Sequence, residues 1–179
     1  RARGRGDVYK RQLVDGLADA LQAEGLRVFG PTQAAAQLEG SKVFCKKLLH
    51  QANVPTADYH VFRDAQSATH FIDNRYPSED QDVPVVVKAD GLAAGKGVIV
   101  CHNRSEAIDA INKISAERAF GDAGDQVVIE ERLDGFEASV LAITDFLTII
   151  TLPAAQDHKR SHDGDQGPNT GGMLSLIHI

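Results

Sequence analysis

Cysteine is nearly absent from this sequence: only Cys45 and Cys101 occur, far apart and in no metal-type pair. That excludes a disulfide framework and a cysteine zinc site, and the two thiols read as small apolar groups of a reduced, cytosolic protein. No apolar run approaches the roughly 18–20 residues that cross a bilayer. The first residues are basic but lead into no apolar segment, so they do not read as a secretory signal. Prolines are few and scattered, and 42% of the 179 residues are hydrophobic, enough for the core of one domain, or one plus a piece of another.

An overall surplus of positive charge is missing too. The net charge is −6, yet "RARGRGDVYKRQ", residues 1–12, carries four Arg and one Lys against Asp7, so the remainder stands at −10. An acidic body argues against a broad nucleic-acid surface, which needs clustered Lys and Arg. The basic start reads as foreign sequence, with a nucleic-acid arm as the alternative, and the apolar "LSLIHI" at the end reads as foreign too.

What is there is a mixture of helical and alternating patterns. Leu13, Val14, Leu17, Ala18 and Leu21 recur at helical spacing, with Gly25 as the C-cap. "LRVFG" reads as a short strand, and Thr32 caps a helix over "QAAAQLE". A helix after Gly40-Ser41 carries Val43, Phe44, Leu48 and Leu49 on one face and stops before Pro55. Tyr59 to Phe62 alternates like a strand. "DAQSATHFIDNRY" turns Ala68, Phe71 and Ile72 inward, and "SEAIDAINKISAER" has a stripe of Ala107, Ile108, Ile111 and Ile114. "QVVIEE" is a strand, "EASVLAITDFLTIITL" two strands with a tight turn near Asp145, and the polar stretch from Pro153 to Gly172 a loop. The order suits an α+β fold better than a purely parallel sheet.

The most informative stretch is "VPVVVKADGLAAGKGVIV", Val83 to Val100. A P-loop needs G-x-x-x-x-G-K-[ST] running into a helix. Here only three residues separate Gly91 from Gly95, Lys96 is followed by Gly97, and the loop enters the strand-like "VIVC". The P-loop reading fails on spacing, chemistry and context. What remains is a hairpin whose turn holds three glycines, letting backbone N–H groups converge on an anion, with Lys88 and Lys96 adding charge. The alternative is an ordinary hairpin with solvated lysines, but a two-residue turn would serve that end.

"KADGLAAGKGV" resembles the flap of ATP-grasp enzymes, and in this wording that of the phosphoribosylamine–glycine ligase family of purine biosynthesis. The likeness extends through "FGPTQAAAQLEGSK", "NVPTADY", "AFGDAG", "VVIEERLDGFEASV" and "QDHKRSHDGDQGPNTGGM", over roughly residues 13–173. It implies a partial ATP-grasp fold of α+β class over residues 32–173, with a flap subdomain over about 54–130. Residues 13–31 would be the tail end of an α/β N-terminal domain. Residues 1–12 would be a foreign leader and 174–179 a foreign tail.

The resemblance also implies roles. Lys42 and Lys88 would contact the phosphates of ATP from two sides, with Gly91, Gly95, Lys96 and Gly97 closing over them. Two cations there would neutralise charge spreading over a transferred phosphoryl group. Taken alone, Lys42 is an unremarkable helix-start lysine. The Glu130 backbone oxygen and the Leu133 N–H would meet the adenine edge, and Glu137 the ribose; otherwise Glu130 and Glu131 are a strand end reaching solvent. In the loop "DHKRSHDGDQGPNTGG", His158 and His162 invite a metal reading, but Gly164, Gly167 and Pro168 disfavour a helix. Counted from Asp157, the twelfth position of a calcium loop is Pro168 rather than glutamate. The resemblance implies instead that Asp157, His158, Lys159 and Arg160 hold substrate and that Pro168, Asn169, Thr170 and Gly171 line the acceptor pocket, against a solvated loop as the alternative. Lys88 and Arg160 would be the catalytic pair. His50, His60, His70 and His102 have no partners at metal spacing.

The implied reaction joins glycine to 5-phosphoribosylamine in the cytoplasm. The γ-phosphoryl of ATP passes to the glycine carboxylate, giving glycyl phosphate, and the sugar amine displaces phosphate. Positioning and water exclusion are what such a reaction needs. Mg2+ is implied, but the acidic ligands the family uses match nothing after Gly172, so the chain reads as a fragment that does not turn over alone. Other readings are another carboxylate-activating ATP-grasp ligase, or a non-catalytic ATP-binding module.

Overall fold

The computed structural model describes residues 6–78, 81–93, 97–116, 126–145, 147–164 and 166–176, with the backbone alone for 6–9, 159–161 and 166–176. The chain divides into two compact units, Arg1–Leu133 and Asp134–Ile179.

The first unit opens with four helices: α1 (Gly6–Val14), α2 (Leu17–Ala23), α3 (Gln33–Gly40) and α4 (Lys42–Gln51). The helical spacing through Leu13 to Leu21 predicted one helix, but the structure has two. Gly16 sits between them at φ 94°, in the left-handed region that favours glycine. Gly25, at φ 76°, follows the second helix as expected of a C-cap glycine. Thr32 accepts from the Ala35 amide at the start of α3, as its position predicts. The strand expected over "LRVFG" does not form, and Phe29 is fully exposed. A strand exists only through a ladder partner, and among the described residues none pairs there.

A four-stranded antiparallel sheet follows, in the order β1 (Tyr59–Phe62), β4 (Val127–Glu131), β2 (Val85–Ala89), β3 (Val98–Cys101). Along β2 the side chains alternate, with Val85, Val87 and Ala89 fully inward and Val86 and Lys88 on the opposite face. Helix α5 (Ala65–Arg75) and helix α6 (Arg104–Ile111), prolonged by a π-helical turn over Asn112–Ala116, cover the inward face. Ala68, Ile72, Ala107, Ile111 and Ile114 pack there on Val85, Val87, Val127 and Ile129, which bears out the apolar stripes read from the sequence. Both helices are capped by side chains, Asp64 accepting from the Ser67 amide and Asn103 from that of Glu106. Glu106 in turn accepts from the His102 amide, one residue before the cap, and from the Asn103 side-chain amide.

The second unit holds two hairpins. β5 (Ala142–Thr144) pairs with β6 (Ile149–Thr151), turning at Asp145 as expected. The Thr148 and Leu147 amides donate to that carboxylate and hold it below the usual range. The stretch expected to be a loop is a second hairpin, β7 (Ala155–His162) with β8 (Gln166–Leu176). Its polar composition hides the ladder, because backbone groups and not apolar side chains make it. The reversal lies at Asp163-Gly164, with Gly164 at φ 73°, and register shifts interrupt the pairing between His158 and His162. Among the described residues no helix is long and apolar enough to cross a membrane.

Candidate nucleotide site

The sheet face opposite α5 and α6 carries the chemistry of the first unit. Val85 to Ala89 is one arm of a hairpin and Val98 to Cys101 the other, so the glycine turn leads from strand to strand, as the sequence required. Lys88 stands on β2 opposite Val98 on β3 and Val128 on β4. Glu130, opposite Val86, is therefore its diagonal neighbour on the same face, within reach of a long side chain. The Lys88 ammonium donates to Glu130 Oε2 at 2.7 Å.

Helix α4 approaches from the other side. Its N-terminus is tied to the end of β2: Asp90 accepts from the Ser41 hydroxyl at 3.0 Å and from the Val43 amide at 2.8 Å. The Ser41 oxygen also accepts from the Phe44 amide at 3.0 Å. The first amides of the helix are thus engaged by a serine and a carboxylate, unlike a phosphate-cradling helix start. Lys42 Nζ donates to the carbonyls of Asp90, at 3.2 Å, and Gly91, at 3.0 Å. Burial pushes the pKa of Lys42 down; Asp90 opposes the shift and Lys88 adds to it.

The apolar face predicted for α4 is only partly used. Val43 is buried, but Phe44 and Leu48 are exposed, and Lys46 turns inward in their stead. Periodicity defines a face without telling whether anything covers it. Lys46 Nζ reaches Thr56 Oγ1 at 2.7 Å, the Ala57 carbonyl at 3.1 Å and Glu130 Oε2 at 3.1 Å, and lies 5.6 Å from the Tyr59 ring centre. Lys46 and the Glu130 carboxylate are charged groups at this cavity that reading the sequence did not single out. Lys46 falls four residues after Lys42, on the same side of the helix, and that spacing was the available signal.

Lys42, Lys46, Lys88, Glu130, Gly91 and Gly97 border one cavity of about 370 Å³. Lys10 of α1, paired with Glu39, reaches its rim. Gly97 is buried for a steric reason: a Cβ there would lie 2.6 Å from that of Ala93 and 3.0 Å from that of Ala89. Gly97 does not have a positive φ, so close approach is what this position needs, not left-handed backbone. Gly95 and Lys96, also expected at this turn, lie outside the described residues, as does "AFGDAG".

Of the other expected site residues, Leu133 is exposed at the end of the first unit. Glu137 is exposed in the second unit. Asp157 is half-buried and His158 exposed on β7. The backbones of Arg160 and Asn169 face each other across the β7–β8 ladder, and Pro168, Thr170 and Gly171 continue β8. The side chains of Lys159, Arg160 and residues 168–171 lie outside the described set. No group of three or more His, Cys, Asp and Glu side chains is placed to hold a metal among the described residues.

The family described as phosphoribosylglycinamide synthetase, ATP-grasp (A) domain, matches residues 40–178, most of the chain. The chain belongs to this family. It is similar to phosphoribosylamine–glycine ligases of Rhodopirellula baltica, 63% identical over 161 residues, and Yersinia pestis, 52% identical over 161 residues. The matches take in 90% of this chain and 37% and 36% of those proteins, so it spans little more than a third of their length. The solved phosphoribosylamine–glycine ligase of Thermotoga maritima superimposes with a TM-score of 0.75 at 35% identity, over 90% of this chain and 40% of that one. D-alanyl-alanine synthetase A of Vibrio cholerae shares the fold, with a TM-score of 0.66 at 16% identity over 89% of this chain and 47% of that one. The α+β architecture is thus a partial ATP-grasp fold, as the flap motif led one to expect.

Proposed function

We propose that this phosphoribosylglycinamide synthetase-family chain supplies the phosphate-binding half of an ATP-dependent, cytoplasmic ligase joining glycine to 5-phosphoribosylamine in purine biosynthesis. The observation that carries the reading is the convergence of Lys42, Lys88, Gly91 and Gly97 on one cavity beneath a strand-to-strand turn. Its donor set is cationic and its walls include glycine backbone, which suits a polyphosphate. The relatives named phosphoribosylamine–glycine ligase supply the choice of acid and amine.

In this reading ATP supplies the phosphoryl group that makes the glycine carboxylate a competent electrophile. Lys42 and Lys88 hold its phosphates from opposite sides of the cavity, and Lys88 neutralises charge as the phosphoryl group moves. Gly95 and Lys96 complete the turn over them. The Glu130 carbonyl and Leu133 N–H meet adenine, and Glu137 meets ribose. Arg160, with Asp157, His158 and Lys159, binds the sugar phosphate and glycine, guanidinium suiting phosphate through paired hydrogen bonds. Pro168, Asn169, Thr170 and Gly171 line the acceptor side. Mg2+ would accompany the phosphates, but the described residues do not offer it a ligand set, and no step is assigned to it.

Two measurements test the proposal. Titrating the chain with ATP, followed by lysine side-chain NMR, should perturb Lys42 and Lys88 first. A hybrid with these residues in place of the matching 161 of the Rhodopirellula baltica ligase should release ADP only when glycine and phosphoribosylamine are both present. ADP release that ignores glycine, or ATP shifts confined to other lysines, would refute it.

A further inference from the structure

Three charged groups share one buried point on the sheet face. Glu130 is 5% exposed, and its Oε2 accepts from Lys88 at 2.7 Å and lies 3.1 Å from Lys46 Nζ. The two lysines are not equivalent. Lys46 donates to Thr56 Oγ1 and the Ala57 carbonyl and forms an ion pair with Glu130, so that it is held by three groups at once. Lys88 has Glu130 as its hydrogen-bond partner, retains two N–H groups, and is the more open of the pair, with a side chain 24% exposed against 11%.

We infer that Lys46 is a positioning residue that holds the Glu130 carboxylate permanently, so that Lys88 is free to exchange that carboxylate for a phosphate. The inference rests on the phosphate-binding reading of the cavity. A carboxylate this deeply buried cannot be left without a counter-charge. Were Lys88 its sole partner, moving the ammonium to an incoming phosphate would strand it, and the pair would present the cavity with no net charge. With Lys46 fixed behind it, the trio keeps one positive charge, and Lys88 can turn without leaving Glu130 unpaired. Lys46 itself is too fully engaged to follow.

The test compares amine modification at each lysine, by reductive methylation of the nucleotide-free chain and peptide mass spectrometry, with binding of ATP and of inorganic tripolyphosphate. In Lys46→Met, modification of Lys88 should slow several-fold, because Lys88 becomes the sole partner of Glu130. Lys46→Arg, which keeps the charge, should restore the wild-type rate, and Lys46→Met with Glu130→Gln should release Lys88 again. Binding of both ligands should weaken about tenfold in Lys46→Met and recover in the double variant, the signature of coupled neighbours.

If Lys46→Met does not fold, Glu130→Gln alone decides: Lys88 should open while Lys46 stays protected by Thr56 and Ala57. Equal opening of both lysines, or a Lys88 rate indifferent to Lys46→Met, would overturn the inference. Failure of the wild-type chain to bind either ligand, with the modification pattern as described, would instead refute the phosphate reading and leave the anchoring of Glu130 standing.

Discussion

Asp90, at the end of β2, accepts hydrogen bonds from the Ser41 hydroxyl at 3.0 Å and the Val43 amide at 2.8 Å, joining the start of α4 to the mouth of the flap hairpin. This link sets the spacing between Lys42, which opens the helix, and Lys88, two residues before Asp90. Asp90→Ala should lower the unfolding free energy by about 1–2 kcal/mol, the usual effect of losing a cap and leaving its donors unpaired. Asp90→Asn, which keeps an acceptor, should lose less. Denaturant unfolding of the three proteins gives the comparison, and equal stability of Asp90→Ala and wild type would show that the link contributes nothing.

Gly97 closes the same hairpin where two alanines leave no room. An added Cβ meets methyl carbons of Ala93 and Ala89 that cannot rotate away, so the backbone itself must shift. Gly97→Ala should therefore destabilise the fold by about 1–3 kcal/mol, in the range of overpacked sites. It should also weaken tripolyphosphate binding. Restoring space with Ala93→Gly in the same chain should recover much of the loss. Calorimetric melting checks this; a double variant no more stable than Gly97→Ala would place the strain elsewhere.

The parts of the fold that local pattern dictates were readable from the amino-acid order. Period-two valines around "VVVKA", helical stripes at Ala68 and Ile72 or at Ile111 and Ile114, and a glycine turn with the wrong spacing for a P-loop all led to elements that exist. What was not legible depends on partners. "LRVFG" has the composition of a strand but no ladder, and Phe44 and Leu48 form an apolar face that nothing described covers. The β7–β8 hairpin was misread as a loop because its residues are polar, although Asp163-Gly164 is a recognised hairpin-turn pair. At the candidate site, Lys42 and Lys88 were found through motif wording. Lys46 and the Glu130 carboxylate were not, because their importance lies in burial, which spacing alone does not reveal.

The two thiols should behave differently. Cys101 is buried in the sheet core, and burial together with the Glu106 charge pushes its pKa to about 11, against 9.0 for an ordinary thiol. That shift lowers the thiolate fraction near neutrality about a hundredfold. Cys45 is half-buried and borders the lysine-lined cavity. A disulfide reagent at pH 8 should titrate one thiol quickly and the second only on adding denaturant. Tripolyphosphate should slow the fast reaction by covering Cys45. Rapid labelling of Cys101 in the folded chain would contradict the packing of β3.

Lys42 makes stability and anion binding respond to pH in opposite senses. Burial is the main cause of its lowered pKa, so folding removes its proton more easily than the ordinary value of 10.5 would allow. Between the lowered value and 10.5, the unfolded chain still holds the proton that the folded chain has lost. The unfolded state then binds more protons, so the contribution of this group to stability rises with pH across that window. Its attraction for phosphate falls across the same window, because the neutral amine carries no charge. Tripolyphosphate affinity should therefore begin to drop at a pH below that of an ordinary lysine. Lys42→Arg should remove this early alkaline decline, since guanidinium stays charged, while leaving any later loss due to other lysines. Affinity measured from pH 7 upward in both proteins makes the comparison, and identical alkaline profiles would remove Lys42 from the phosphate site.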